Sequence, residues 1–370
     1  MKSVLISGAG IAGLALAHRL SHHGYAPTVV ERAPAVRAGG QAIDVRGVAL
    51  DVLERMNLLD QARRARTRMR GMSMLDGEGN ELWRSTEMTF SSGRLDSEDI
   101  ELLREDLTQL LYRNMPEGVE YLFGDSISAL QEEPHGVRVG FEGGGSRMFD
   151  LVVGADGLRS KVRHLAFGAK SHFVRHLGSY VAVFTTENFL DLDDWQVWLQ
   201  DGSGSATYCL YPARENTELR ATVGFSSEPL TYDHRDPEQH KALLADRLSQ
   251  VRWETPRLLK AMWAAPDFYF DAMAQVRMER WSQGRVVLLG DAGYCPSPLS
   301  GQGSSLALAG AYVLAEELSG AAGDHRCAFA RYEERLRPFV ELNQALATEN
   351  PGQGADEESV ERAKNAISLD

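Results

Sequence analysis

Residues 3–32 read Ser3-Val4-Leu5-Ile6-Ser7-Gly8-Ala9-Gly10-Ile11-Ala12-Gly13-Leu14-Ala15-Leu16-Ala17-His18-Arg19-Leu20 and, after a short polar link, Tyr25-Ala26-Pro27-Thr28-Val29-Val30-Glu31-Arg32. Val4 to Ser7 is an apolar run of strand length, Leu14 to Leu20 suits a helix, and Tyr25 to Val30 suits a second strand. Strand, glycine turn, helix and strand in that order are the full context that a dinucleotide fingerprint requires. Gly8 permits the tight turn, Gly10 lets a pyrophosphate reach the backbone, and Gly13 lets the helix lie close on the sheet. Ala12 belongs to the same turn. The helix start offers free N–H groups and about half a positive charge to phosphates. Glu31 lies 18 residues after Gly13, at a strand tip where a carboxylate accepts from a ribose. Lys2 followed by an alanine-rich apolar run also resembles a secretory leader. The phosphate-type glycine spacing and the acid downstream argue against that reading.

The remaining composition is that of an ordinary globular protein. The 370 residues are 43% hydrophobic and 25% charged, with a net charge of −13. That length suits about two domains, and the acidity disfavours nucleic acid as a partner. No apolar stretch has the length of a membrane helix. Cys209, Cys295 and Cys327 form no CxxC pair, and the histidines form no HExxH pair. A reducing, cytoplasmic setting without structural disulfides or a metal site is therefore expected. Arg63, Arg64, Arg66, Arg68 and Arg70 read as a solvated basic helix end, or as guidance for an anionic cofactor.

Further along, Val48 to Leu58 suits an amphipathic helix, Gly71 to Trp83 a hairpin around Asp76-Gly77, and Leu102 to Leu111 a helix. Leu151-Val152-Val153-Gly154 is a buried strand ending at Asp156-Gly157. From Gly178 to Phe225 strands alternate with polar turns, and Asp236 to Leu259 is helical. Asp267 to Met278 returns to the sheet region, Arg285 to Ala292 is another buried strand with a polar end, and the last helix runs from about Cys327 to Ala347. The expected fold is α/β: a Rossmann-like nucleotide-binding domain of residues 1–71, 97–170 and 272–349, with an inserted β-sheet domain and a C-terminal helix. Residues 72–96 and 171–271 form the β-rich substrate domain, and 350–370 a mobile tail.

Three separated motifs, Gly8-Gly10-Gly13 with Glu31, Asp156-Gly157, and Gly290-Asp291, stand in one order. With the stretches GGQAIDVRGVALDVLERMNLL, LLREDLTQLL and DLVVGADGLRSKVR, the chain resembles the group A flavin-dependent monooxygenases, the p-hydroxybenzoate hydroxylase family. It is most similar to the short polyketide hydroxylases and tetracycline-inactivating monooxygenases. The resemblance implies non-covalent FAD, with Gly8, Gly10, Gly13, Glu31 and Arg32 at the adenosine and pyrophosphate. Arg104 would reach the ribityl and phosphate region, or else form a surface ion pair. Asp291 would accept from a ribityl hydroxyl, and Asp156-Gly157 would serve FAD and the nicotinamide, or simply end a strand. Pro298-Leu299-Ser300-Gly301-Gln302-Gly303-Ser304-Ser305 opens a helix whose N–H groups would stabilise charge on reduced flavin. Asp44 and Arg46 lie in the loop that passes the ring; Arg46 positions the ring or nicotinamide, or pairs with Asp44 or Asp51. Gly293-Tyr294 stands where many relatives have alanine-histidine, and Ser305 where many have asparagine.

The implied reaction consumes NADPH or NADH and O₂. The nicotinamide reduces FAD, O₂ adds at flavin C4a, and the hydroperoxide delivers one oxygen atom to an electron-rich carbon. Such chemistry needs orientation and a dry pocket rather than a catalytic side chain, so none is named. Candidate substrate walls are Trp195, Trp198, Tyr208, Tyr211 and Phe225, each of which core packing also explains. They favour a planar, largely apolar aromatic or polycyclic substrate. Epoxidation or Baeyer–Villiger oxidation on the same fold, and a non-catalytic dinucleotide sensor, are the alternatives. Trp195-Gln196-Val197-Trp198 lacks the halogenase Trp-x-Trp-x-Ile-Pro pattern. A monomer or weak homo-oligomer is expected.

Overall fold

The computed structural model describes residues 1–168, 172–200, 206–350 and 354–370. The expected domain boundary at 170/171 and Pro351, Gly352 and Gln353 of the expected tail lie outside them. Strand Ser3–Ser7 occupies the middle of a six-stranded sheet, paired in parallel with Ala26–Glu31 on one side and Leu151–Gly154 on the other. Glu120–Phe123 extends one edge, while Val286–Leu288 and the antiparallel Ser282–Gln283 extend the other. Helices Ile11–His22 and Gly303–Gly320 pack on each other within the same core, and the antiparallel strands Ile127–Glu133, Gly136–Phe141 and Ser146–Phe149 contribute Val137, Val139 and Phe149 to it. Strands covered on both faces need apolar residues at every position, which is why they read as unbroken hydrophobic runs.

The second sheet has seven strands: Tyr269–Val276, Val174–Glu187, Glu218–Ser226, Ala206–Ala213, Gln196–Gln200, Met72–Leu75 and Glu81–Ser85. All neighbours are antiparallel except Met72–Leu75 beside Gln196–Gln200. One face carries helices Pro237–Arg247 and Thr255–Ala264 over a separate core of Tyr180, Phe184, Tyr208, Leu210 and Val223. Its other face turns toward the nucleotide sheet.

Three stretches depart from the sequence expectation, while Asp267–Met278 returns to a sheet as expected. Leu102 and Leu103 end the strand Ile100–Leu103, and the helix begins only at Arg104. Both elements are apolar on one side, and pairing with Ala42–Val45 decides in favour of strand. The Asp236–Leu259 helix is two helices broken near Trp253, whose φ of +54° no helix continues. Asp267–Met278 contributes the edge strand Tyr269–Val276 to the second sheet. Residues 354–370 are packed rather than loose. Helix Glu357–Lys364 buries Ala363, the Lys364 ammonium meets Asp99 at 2.8 Å, and Leu369 joins the main core. Three consecutive acids drew attention to solvent and hid that apolar stripe.

The helix of the glycine turn carries a buried histidine. Desolvation, reinforced by His22 and Arg19, lowers the pKa of His18 from 6.5 to about 4. The unfolded chain thus takes the proton first, and stability present above pH 6.5 is lost as pH falls toward 4. The cost saturates at roughly 3 kcal/mol. His18→Gln is expected to flatten the fall of Tm across that window; an unchanged acid limb would exclude His18 as its source.

Candidate active site: a cleft between the two sheets

A cleft of about 2690 Å³ separates the sheets and is lined by residues of both. Pockets for single small ligands span about 300–1,000 Å³, so this one has room for a dinucleotide and a second molecule. Its floor begins at the glycine turn. Gly8 has φ +108°, and a Cβ there would stand 2.5 Å from the Ala155 carbonyl oxygen. A Cβ on Gly13 would overlap the carbonyl oxygen of Gly8. Neither position admits a side chain, and the contacts press the helix onto the sheet. Gly10 caps that helix with no side chain, leaving its first N–H groups facing the cleft. Glu31 accepts from the backbone N–H groups of Ala9 and Ala33, both at 2.9 Å, which fixes its carboxylate at the strand tip beside Arg32.

Arg104, the first residue of helix Arg104–Arg113, reaches this turn. Its guanidinium lies 3.8 Å from where a Cβ on Gly10 would sit. It forms no hydrogen bond or ion pair with any described residue, so the surface ion pair weighed from sequence is not what the structure has. Burial, then the nearby Arg37, lower its pKa from the ordinary arginine value. Along the same sheet edge, Asp291 opens the short helix Asp291–Tyr294 and lines the cleft. Desolvation there raises its pKa.

The 3₁₀ turn Pro298–Ser300 ends at Gly301 with φ +65°, and helix Gly303–Gly320 follows. A Cβ on Gly303 would meet nothing within 4 Å, so the helix mouth opens into the cleft, lined by Pro298, Gly301, Gly303 and Ser304. Gln302 differs from the expectation: its side chain is fully buried, and both amide atoms lack a partner among the described residues. Only its main chain belongs to the mouth. Arg46 pairs with Asp44 at 2.9 Å, and a Cβ on Gly301 would lie 3.7 Å from the Arg46 guanidinium and 3.8 Å from the Asp44 carboxylate. Burial pushes Asp44 up to about 7, opposed by Arg46 and aided by Glu101 and Asp99. Ser305 accepts the Arg46 backbone N–H at 3.0 Å, so this unusual serine fixes the Asp44–Arg46 loop. Tyr294, the other departure, is buried behind the mouth and meets Tyr332 at 2.9 Å.

Asp156 has a different task from the one the motif suggested. Its carboxylate accepts from Ser160 Oγ at 2.5 Å and from the backbone N–H groups of Lys161 and Val162 at 2.7 and 3.1 Å. It caps helix Lys161–Phe167, while Gly157 turns the chain with φ +78° at the cleft edge. Asp156 thus organises the strand end, and both it and Gly157 line the cleft. Arg163, not singled out from sequence, is fully buried and donates to the carbonyls of Ala292 and Leu158 at 2.7 and 2.6 Å. It ties the two strand ends together; its place in DGLRSKVR was the available signal.

The five aromatic candidates divide by strand parity. Along Ala206–Ala213, Thr207, Cys209 and Tyr211 face the cleft, while Tyr208 is fully buried against the outer helices. Tyr208 therefore belongs to the core. Trp195 donates to Ser73 at 2.9 Å behind the wall. Trp198 and Tyr211 line the cleft, and Phe225 reaches it only from the end of a stack with Tyr180 at 5.5 Å. Unforeseen wall residues are Trp83 and Phe90, 41% and 46% exposed, which meet edge to face at 5.6 Å; Phe90 meets Trp198 at 5.4 Å. Arg159 and Asp271 form an ion pair at 2.5 Å on the same cleft. Among the described residues no helix is long and apolar enough to cross a membrane.

A mostly parallel sheet with a glycine turn at its strand ends, opposed across a cleft by a second sheet, is the architecture of an FAD-binding fold. The chain belongs to the family described as "FAD binding domain", whose profile matches residues 1–345, and is a flavin-dependent monooxygenase. An uncharacterized protein of Mycobacterium tuberculosis is 53% identical over 371 residues, covering 100% of this chain and 99% of its own. A flavin-dependent monooxygenase of Legionella longbeachae is 38% identical, covering 92% of this chain and 86% of its own. The crystal structure of the tetracycline destructase Tet(55) superposes with a TM-score of 0.88 at 37% identity, covering 100% of this chain and 98% of that one. The donor set fits FAD: an unpaired arginine faces the glycine turn, and a helix mouth free of side chains opens into the same cleft.

Arg104→Met is expected to lower FAD affinity at least tenfold, the scale of one lost charge-assisted phosphate contact. Asp156→Ala is expected to lower stability by about 1 kcal/mol with FAD stoichiometry retained. Flavin absorbance per protein after gel filtration separates the two; loss of FAD in Asp156→Ala alone would reverse the assignment.

Proposed function

We propose that this protein uses a reduced nicotinamide and O₂ to insert one oxygen atom into a flat, largely apolar, fused-ring molecule of aromatic or polyketide type. The observation that carries the reading is the join of two surfaces in one cleft: a cationic glycine turn and helix mouth on one side, and the Trp83–Phe90–Trp198 aromatic row on the other. FAD, when bound, supplies two-electron transfer from the nicotinamide and activation of O₂.

The chain's own residues supply binding and orientation. Gly8, Gly10 and the start of helix Ile11–His22 would take the pyrophosphate, with Arg104 as its counter-ion and Glu31 on the ribose. Asp291 would accept from the ribityl chain. The first N–H groups of helix Gly303–Gly320 have no acceptor inside the helix, so they favour negative charge at its mouth. Tyr211, Trp198 and Phe90 offer apolar surface to the substrate and keep water off the reacting face. Arg32 and Arg235 line the cleft edge near Glu142, whose carboxyl is held low first by Lys161 and then by both arginines. The likeness to the tetracycline destructase Tet(55) supports a polycyclic substrate of that class for this chain also.

Purified protein is expected to be yellow, and tetracycline or another fused-ring phenol to stimulate NADPH-dependent O₂ uptake, with product heavier by one oxygen atom. Phe90→Ala should raise KM for that substrate by about tenfold, as loss of an aromatic anchor does, whereas Tyr208→Phe should leave KM alone. Equal effects of the two substitutions would place the substrate elsewhere.

A further inference from the structure

Between the aromatic row and the Asp44–Arg46 pair stands one residue that touches both sides. Ser91 follows Phe90 in the chain. Its carbonyl accepts from Arg46 Nη2 at 3.3 Å, and its hydroxyl accepts from Gln196 Nε2 at 2.9 Å. Gln196 is completely buried, and its Oε1 accepts the indole N–H of Trp198 at 2.5 Å. An indole nitrogen can only donate, so the Gln196 amide has one possible orientation, carbonyl to Trp198 and NH₂ to Ser91. Having accepted from Gln196, the Ser91 hydroxyl keeps one proton to give, with Thr89 Oγ1 at 3.3 Å and the buried Glu101 carboxylate as its neighbours. Thr67 satisfies Glu101 from the other side at 2.7 Å. From Trp198 through Gln196 to Ser91 each donor and acceptor has a fixed direction.

We propose that Ser91 is a positioning residue that ties the substrate wall to the flavin side of the cleft. Resting on the flavin monooxygenase reading, it makes the placement of Arg46 at the helix mouth depend on the placement of Trp198. The run is Trp198, Gln196, Ser91, Arg46, then Asp44 beside Gly301, with no gap wider than a hydrogen bond until the last step. Phe90 is 46% exposed and is bonded in sequence to Ser91, so a ring stacking on Phe90 and Trp198 pulls on both ends of the Ser91 contact. Contiguity alone does not establish coupling; energetic non-additivity does.

The test uses holoenzyme and reads the visible absorption of bound FAD, which a purely structural role of the wall would not move. Trp198→Phe keeps the ring and removes only the N–H. It is expected to shift the flavin band, Ser91→Ala to shift it the same way, and the double variant to shift it no further than either single change. Ser91→Thr, which keeps the hydroxyl, should restore the native spectrum, and Tyr208→Phe, in the core on the far face of the sheet, should leave it native. A native spectrum in Trp198→Phe, or additive shifts in the double variant, overturns the proposal. A purified protein that takes up no FAD overturns the functional reading instead, and the same cycle is then read in Tm. There, non-additive losses for Trp198→Phe and Ser91→Ala support the tie, and additive ones overturn it.

Discussion

Main chain stands against main chain where the first helix meets the central strands. The carbonyl of Gly8 occupies the space a Gly13 side chain would need, and Gly8 itself abuts Ala155. Any larger residue would push the helix off the sheet and swing its N-terminus away from the strand ends. With the helix held down, Glu31, Asp156 and Asp291 all emerge at the carboxyl ends of neighbouring parallel strands, where open α/β sheets place their ligands. The remaining features of the cleft are built around that fixed edge.

Charge distribution then separates structure from function. Most buried or half-buried cations are matched: Arg220 with Glu105 and Glu218, Lys364 with Asp99, Arg159 with Asp271. Arg163 pairs with no carboxylate among the described residues, but two carbonyls accept from its Nη1 and Nη2. Among the described residues the Arg104 guanidinium has neither, although it stands at the turn whose N–H groups also seek an anion. An unmatched cation in a partly desolvated site is unfavourable for folding alone, and a phosphate contact compensates it. Asp44 and Arg46 show the opposite arrangement: they neutralise each other beside Gly301, so that neither presents a bare charge to the helix mouth.

The second sheet works through its period of two. Its outer face packs on two helices and its inner face is left for a ligand, so one strand serves as both core and wall. Tyr208 and Tyr211 differ by three positions and cannot share a face. The sequence showed the alternation but not which parity pointed inward, since both faces carry aromatic and small residues. Trp83 and Phe90 were passed over because they sit among Glu, Arg, Ser and Thr in a stretch that looks like solvated edge strand.

Local order alone determined the nucleotide-binding fold. Apolar runs, three glycines and a strand-end acid follow one another within a few residues, and each depends on sterics and backbone hydrogen bonding between near neighbours in the chain. The segment after Pro298 was legible for the same reason. Tertiary structure decided the rest, because it concerned partners far apart in sequence. It turned Asp156 inward to cap a helix, left Arg104 unpaired, set Tyr211 rather than Tyr208 on the cleft, and folded the acidic C-terminal stretch onto Asp99 and Arg55. A side chain's task follows from which groups compete for it, and that competition exists only once distant segments are brought together.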